Sequence, residues 1–207
     1  MSLFILFRGA IGIYLYKIVH MFVDENPTRK DEEQLSWFAM SATFGRELKA
    51  REYLESKSVR CFIPMKYEIV GRGSGKKRAL VPAIHNLLFV YTTKSRIQAL
   101  KAGVSYLQYL TQRVEGRNIP IIVPERQMQQ FISVSETLDN KLLYLAPDEI
   151  NLEKGTPVRV IGGAFDAVEG TFIKVDRSRK KRVVVYLQGI AAVMIADVTD
   201  GYLKVLE

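Results

Sequence analysis

The loop GRGSGKKR at residues 71–78 comes nearest to chemistry, because glycines leading into a lysine can cradle a phosphate with backbone N–H groups. It lacks the rest of that device. A Walker-type loop requires a Gly five positions ahead of the Gly75-Lys76 pair and a Ser or Thr after it for magnesium; Val70 and Lys77 occupy those positions. Cys61 and His85 could form a nucleophile and base, but Cys61 stands inside an apolar strand-like run, where a thiol behaves as a small buried hydrophobe. With one Cys and two His, the chain cannot build an internal disulfide or a Cys/His zinc site alone. Its acidic side chains are dispersed among basic ones, without a cluster for general acid or metal-assisted work. The expectation is a binding protein and not an enzyme: no catalytic residue, cofactor, metal or small-molecule substrate.

Charge is the remaining signal. The 207 residues carry a formal charge of +8 with a pI near 9.5, and the excess is concentrated in residues 34–152. Such a balance favours acidic partners, because Lys and Arg release counterions when they neutralise phosphates. Two clusters are candidates: Arg72, Lys76, Lys77 and Arg78, and then Arg177, Arg179, Lys180, Lys181 and Arg182. Both read as hairpin tips, and a solvated tip is the competing interpretation. Neither is interleaved with aromatic residues in sequence, so the expected nucleic-acid contact is electrostatic, without base stacking.

The elements that position these groups follow from periodicity and punctuation. Residues 1–23 are apolar, but Arg8, Lys17 and His20 interrupt them, so no uncharged stretch reaches membrane-spanning length and no secretory signal is formed. A membrane-surface helix and a translation start at Met21 both remain open; membrane attachment is not expected, and a reducing cytoplasm is. Residues 1–33 read as a tail, 34–138 as an α+β domain, 139–152 as a linker and 153–207 as a small all-β barrel. In the first domain SWFAMSAT is strand-like, and GRELKAREYLESKS is a helix whose Leu48, Ala50, Tyr53 and Leu54 can share a face. VRCFIPMKYEIV and the run through LLFVYTT flank the basic loop as a long hairpin. KSRIQALKAG is a short helix closed by Gly103, VSYLQYL a strand, and Pro124 opens a last helix. Five short β-branched runs then make up the second domain: TPVRVIGG, GTFIKVD, RVVVYLQG, AAVMIADV and YLKVLE.

Residues 154–176, KGTPVRVIGGAFDAVEGTFIKVD, resemble the KOW motif through Gly163, Phe165 and Gly170. Val158 and Val160 alternate inward, Gly163 permits a turn, and Gly170 suits close backbone approach. SWFAM with its following helix, Pro64, the basic loop, VPAIHNLLFV and AGVSYLQYL resemble an NGN domain, an antiparallel sheet flanked by helices. Residues 36–207 thus resemble the NusG family, and HNLLFV and GVSYL resemble its specialised UpxY branch, similar to RfaH.

The resemblance implies a transcription elongation and antitermination factor of capsular or surface polysaccharide operons. It implies that Ile84, Leu87 and Phe89 grip the clamp helices of the largest RNA polymerase subunit, that Lys94, Ser95 and Arg96 meet the opposite side of the cleft, and that the basic loop faces DNA or nascent RNA. The KOW domain is implied to recruit a ribosomal protein or a Rho-like factor, and a monomer is expected. Where the general factor has Phe-Pro-Gly-Tyr, this chain has Ile84-His85-Asn86-Leu87, with Asn86 able to adopt the left-handed turn. An RNA-binding KOW protein associated with the ribosome is the alternative.

Overall fold

The structure is a computed structural model that describes residues 33–140, 142–145, 155–163, 165–173, 182–187, 190–195 and 202–206. The readings made for residues 1–23 and for Arg177, Arg179, Lys180 and Lys181 lie outside the described residues. Residues 35–207 form one compact unit.

Its first sheet is antiparallel in the order β2-β5-β1-β6, from β1 (Ser36–Ala42), β2 (Arg60–Phe62), β5 (Leu87–Thr92) and β6 (Leu107–Tyr109); a short β9 (Ile122–Val123) also pairs with β1. The central strands β1 and β5 are continuous apolar runs because both faces are covered. Phe38, Met40, Leu88 and Val90 share one face, beneath Ala50 and Leu54 of α1 (Glu47–Ser56) and Ile97 of α2 (Lys94–Ala102). Trp37, Ala39, Leu87 and Phe89 take the other face, beneath Met128, Phe131 and Ile132 of α3 (Glu125–Ser135).

The first domain departs from expectation in three places. Leu48, placed inward by helical spacing, is exposed, and its neighbour Glu47 is buried instead, its carboxylate accepting a hydrogen bond from the Asn86 N–H. The long hairpin divides: β3 (Met65–Val70) and β4 (Lys77–Pro82) form a separate two-stranded ribbon, while β2 returns to the main sheet beside β5. A second ribbon, β7 (Thr111–Val114) with β8 (Arg117–Pro120), is built from a polar segment whose pattern predicts no strand.

All five β-rich runs form strands in the second sheet: β11 (Thr156–Ile161), β12 (Glu169–Ile173), β13 (Arg182–Leu187), β14 (Ala191–Ile195) and β15 (Tyr202–Val205). A sixth strand, β10 (Leu142–Leu145), lies within the stretch expected to be a linker, and the antiparallel order is β10-β14-β13-β12-β11-β15. The polar residues around β10 obscure its short apolar run in the sequence. Val158 and Val160 point inward and are buried. Gly163 has φ +74°, a left-handed turn. At Gly170 a Cβ would lie 2.5 Å from the Val184 carbonyl oxygen, so the β12–β13 crossing admits only glycine.

The two sheets share α3. Phe131 packs against Phe62 and Phe89 of the first sheet and Tyr144 of the second, and the apolar cluster continues from Trp37 and Phe89 to Val185 and Val193. Polar ties reinforce the seam. Glu169 of β12 pairs with Arg126 of α3 and Arg159 of β11, and its backbone N–H donates to Gln130 Oε1 at 3.0 Å. The Arg159 hydrogen bond, aided by Arg126, holds the Glu169 carboxyl below the usual carboxylate range despite some burial.

Candidate binding surfaces

Of the three residues expected to grip a polymerase, two are core. Leu87 is 4% exposed and Phe89 is fully buried, with the Phe131 ring 5.8 Å from that of Phe89. Alternation requires one of the pairs 87/89 and 88/90 to be core; here α3 covers the first pair and α1 and α2 the second, so neither face is open. Ile84 is half-buried at the edge of the larger cluster, together with Phe62 and Tyr91, and is the member of the trio that a partner can reach.

The turn between Ile84 and Leu87 is held rigidly. Asn86 adopts φ +62°, the left-handed geometry expected of it, and its carbonyl accepts from Ala42 N at 2.8 Å. Its side-chain Oδ1 accepts from Gly45 N at 2.9 Å, and its own N–H donates to the buried Glu47 carboxylate. His85 Nδ1 lies 3.6 Å from the same carboxylate while its ring faces solvent. One buried Glu thereby organises two loops.

Lys94, Ser95 and Arg96 form the first turn of α2. Thr93 caps the helix, its Oγ1 accepting from Arg96 N at 3.3 Å, and Arg96 Nη2 donates to the Lys57 carbonyl at 2.7 Å, tying α2 to the end of α1. Ser95 and Arg96 are exposed and Lys94 is half-buried.

Arg72, Lys76, Lys77 and Arg78 are all exposed on the β3–β4 ribbon and its tip. The expectation that no aromatic accompanies them is corrected: the Arg78 guanidinium lies 4.0 Å from the centre of the Tyr67 ring. Tyr67 and Arg78 are eleven residues apart in sequence and become neighbours only through the pairing of β3 with β4. Tyr67, Ile69 and Leu80 leave the same ribbon face apolar and exposed.

Cys61 sits on β2, half-buried, and desolvation pushes its thiol up to about 11, with Glu55 adding to the rise and Arg51 opposing it. On the order of one thiol in ten thousand is ionised at pH 7, so Cys61 is not an activated nucleophile. Among the described residues no group of three or more His, Cys, Asp or Glu could hold a metal ion, and no helix is long and apolar enough to cross a membrane.

An antiparallel sheet with two helices on one face and a third shared with an all-β unit, bordered by a basic ribbon, is an NGN-like α+β arrangement followed by an all-β unit. Residues 35–132, just under half of the chain, match the family model described as "Transcription termination factor nusG", so over that segment the chain is similar to the NusG family. Among solved structures, "Domain interaction in Thermotoga maritima NusG" is 17% identical, covers 84% of this chain and 98% of its own, and has a TM-score of 0.45. A comparison with curated proteins finds no match.

Proposed function

We propose that this chain is a specialised NusG paralogue of the UpxY type that binds RNA polymerase and promotes elongation through terminators, in operons for capsular or surface polysaccharide. The similarity of residues 35–132 to the NusG family is the observation that carries this reading. Its mechanism is differential affinity: a factor that contacts two sides of the polymerase cleft favours the active state over the paused one and makes or breaks no bond. Ile84 with the rim of the apolar cluster is the proposed contact for the clamp helices, and the exposed first turn of α2 at Lys94, Ser95 and Arg96 is the proposed second contact. The basic ribbon faces nucleic acid. The division into an NGN domain at 34–138, a linker at 139–152 and a KOW domain at 153–207 is kept as the functional partition, with the KOW unit recruiting a ribosomal protein or a Rho-like factor.

Two measurements test this. The full chain should be retained by core RNA polymerase at moderate salt, and Ile84→Ser should reduce that retention roughly tenfold, as expected when one well-placed apolar anchor is removed from an interface. Retention by ribosomes with none by polymerase would transfer the assignment to the RNA-binding alternative. Separately, replacing Lys76, Lys77 and Arg78 by Gln should lower nucleic-acid affinity and flatten its dependence on log salt by roughly 0.7–0.9 for each phosphate that is no longer neutralised. An unchanged slope would return the ribbon tip to an ordinary solvated turn.

A further inference from the structure

Glu47, at the start of α1, carries a carboxylate and is 2% exposed. Burying that group is costly unless hydrogen bonds and charge partners offset it, and an apolar side chain of similar size fills such a place more cheaply. The groups it meets belong to the turn after β4: the Asn86 N–H donates to the carboxylate, and His85 Nδ1 lies 3.6 Å from it. Three further hydrogen bonds anchor the same turn. Ala83 N donates to Pro64 O at 2.8 Å, Ala42 N to Asn86 O at 2.8 Å, and Gly45 N to Asn86 Oδ1 at 2.9 Å.

What this rigid turn presents to solvent is an imidazole. The His85 side chain is 76% exposed, yet one side of its ring is fixed: Nδ1 faces the Glu47 carboxylate, and Cε1 sits over Gly45, where a Cβ would stand 3.4 Å from it. Gly45 has φ +66°, so glycine both suits the turn and leaves the ring its place. With Nδ1 turned inward, Nε2 is the ring nitrogen left for a partner. The placement adds nothing to the core, and a group held in advance loses less entropy when a partner binds it. Ile84, one residue earlier, is half-buried at the rim of the apolar cluster. An apolar group and a hydrogen-bonding group thus stand side by side on one fixed turn, where the first supplies contact area and the second discriminates between partners.

We propose that His85 is a specificity-determining contact residue for RNA polymerase, hydrogen-bonding through Nε2 to a polar side chain beside the apolar surface that receives Ile84, and that Glu47 is the positioning residue that aims its ring. The inference rests on polymerase being the partner of this turn, and goes beyond that reading in naming the polar contact and the buried group behind it. The test is the affinity of the labelled full chain for core RNA polymerase, read by fluorescence anisotropy at moderate salt, with the melting midpoint of each variant measured alongside. His85→Ala should weaken binding roughly fivefold, as for the loss of one hydrogen bond, and His85→Gln, which can still hydrogen-bond, should stay within about twofold of the wild type. Both should melt as the wild type does, because the side chain is exposed. Glu47→Gln keeps an oxygen for the Asn86 N–H and removes the charge that faces the ring. Alone it should weaken binding about threefold, and in the His85→Ala background it should have no further effect.

Equal losses in His85→Ala and His85→Gln would overturn the polar contact, leaving the ring only its bulk. Additive losses for Glu47→Gln and His85→Ala would overturn the positioning role, since a group that acts only on the fold weakens binding whether or not the imidazole is present. Unchanged affinity in His85→Ala, with Ile84→Ser still weakened, overturns this inference alone and leaves the polymerase reading standing; a wild-type chain that polymerase does not retain overturns both.

Discussion

Phe131→Ala is expected to lower the unfolding free energy by about 3–5 kcal/mol, a large share of the total for a compact unit of this size. Phe131 is fully buried, and its ring meets three others: Phe62 at 6.3 Å and an interplanar angle of 85°, Phe89 at 5.8 Å and 64°, and Tyr144 at 6.4 Å and 76°. Edge-to-face geometry adds to area burial, so truncation removes both terms at once and leaves a cavity between the two sheets. Urea denaturation followed by far-ultraviolet circular dichroism and by fluorescence of the sole tryptophan, Trp37, reads the effect from the whole chain and from β1. Both probes should report one transition moved to lower urea. A loss below about 1 kcal/mol would mean that α3 does not join the two sheets in solution, and separate transitions would mean that they unfold independently.

The parts of this fold that local chemistry determines are legible in the residues themselves. Gly103 closes α2, Pro124 opens α3, Asn86 takes a left-handed turn, and each β-branched run after residue 155 becomes a strand, because each depends on backbone preferences of neighbouring residues. The features that escape such reading depend on pairing across the chain. Nothing around Glu47 predicts its burial, since the N–H it serves belongs to Asn86, thirty-nine residues on. Tyr67 joins the basic ribbon only through cross-strand register, and β10 becomes a strand only because β14 offers an edge. His85 is the same kind of case. Its neighbour Asn86 hints at a turn, but Gly45 and Glu47, which set the ring, come from a distant segment. At the binding surface the same limit applies: spacing places Leu87 and Phe89 on one face correctly and cannot say that α3 covers it.

That covering decides how the proposed polymerase contact can be probed, because Leu87→Ser combined with Phe89→Ser is expected to unfold the first sheet and its helices rather than sever a contact. Phe89 is fully buried and Leu87 nearly so, and both rest against α3 on the sheet's second face. Each substitution removes a large apolar side chain and buries a hydroxyl in its place. With costs of about 3–5 kcal/mol for a buried aromatic and about 2–5 kcal/mol for a buried Leu, and some non-additivity between near neighbours, the double change costs on the order of 6 kcal/mol. Many domains have no more than that to lose. Disappearance of the Trp37 fluorescence transition and of cooperative melting should therefore accompany any drop in polymerase retention in this variant. A folded double variant with native melting would show that α3 does not sit on this face in solution, and would restore Leu87 and Phe89 as an open docking surface. Ile84, half-buried at the rim, is free of that ambiguity: a folded Ile84→Ser chain that polymerase no longer retains separates contact from core, which the buried pair cannot do.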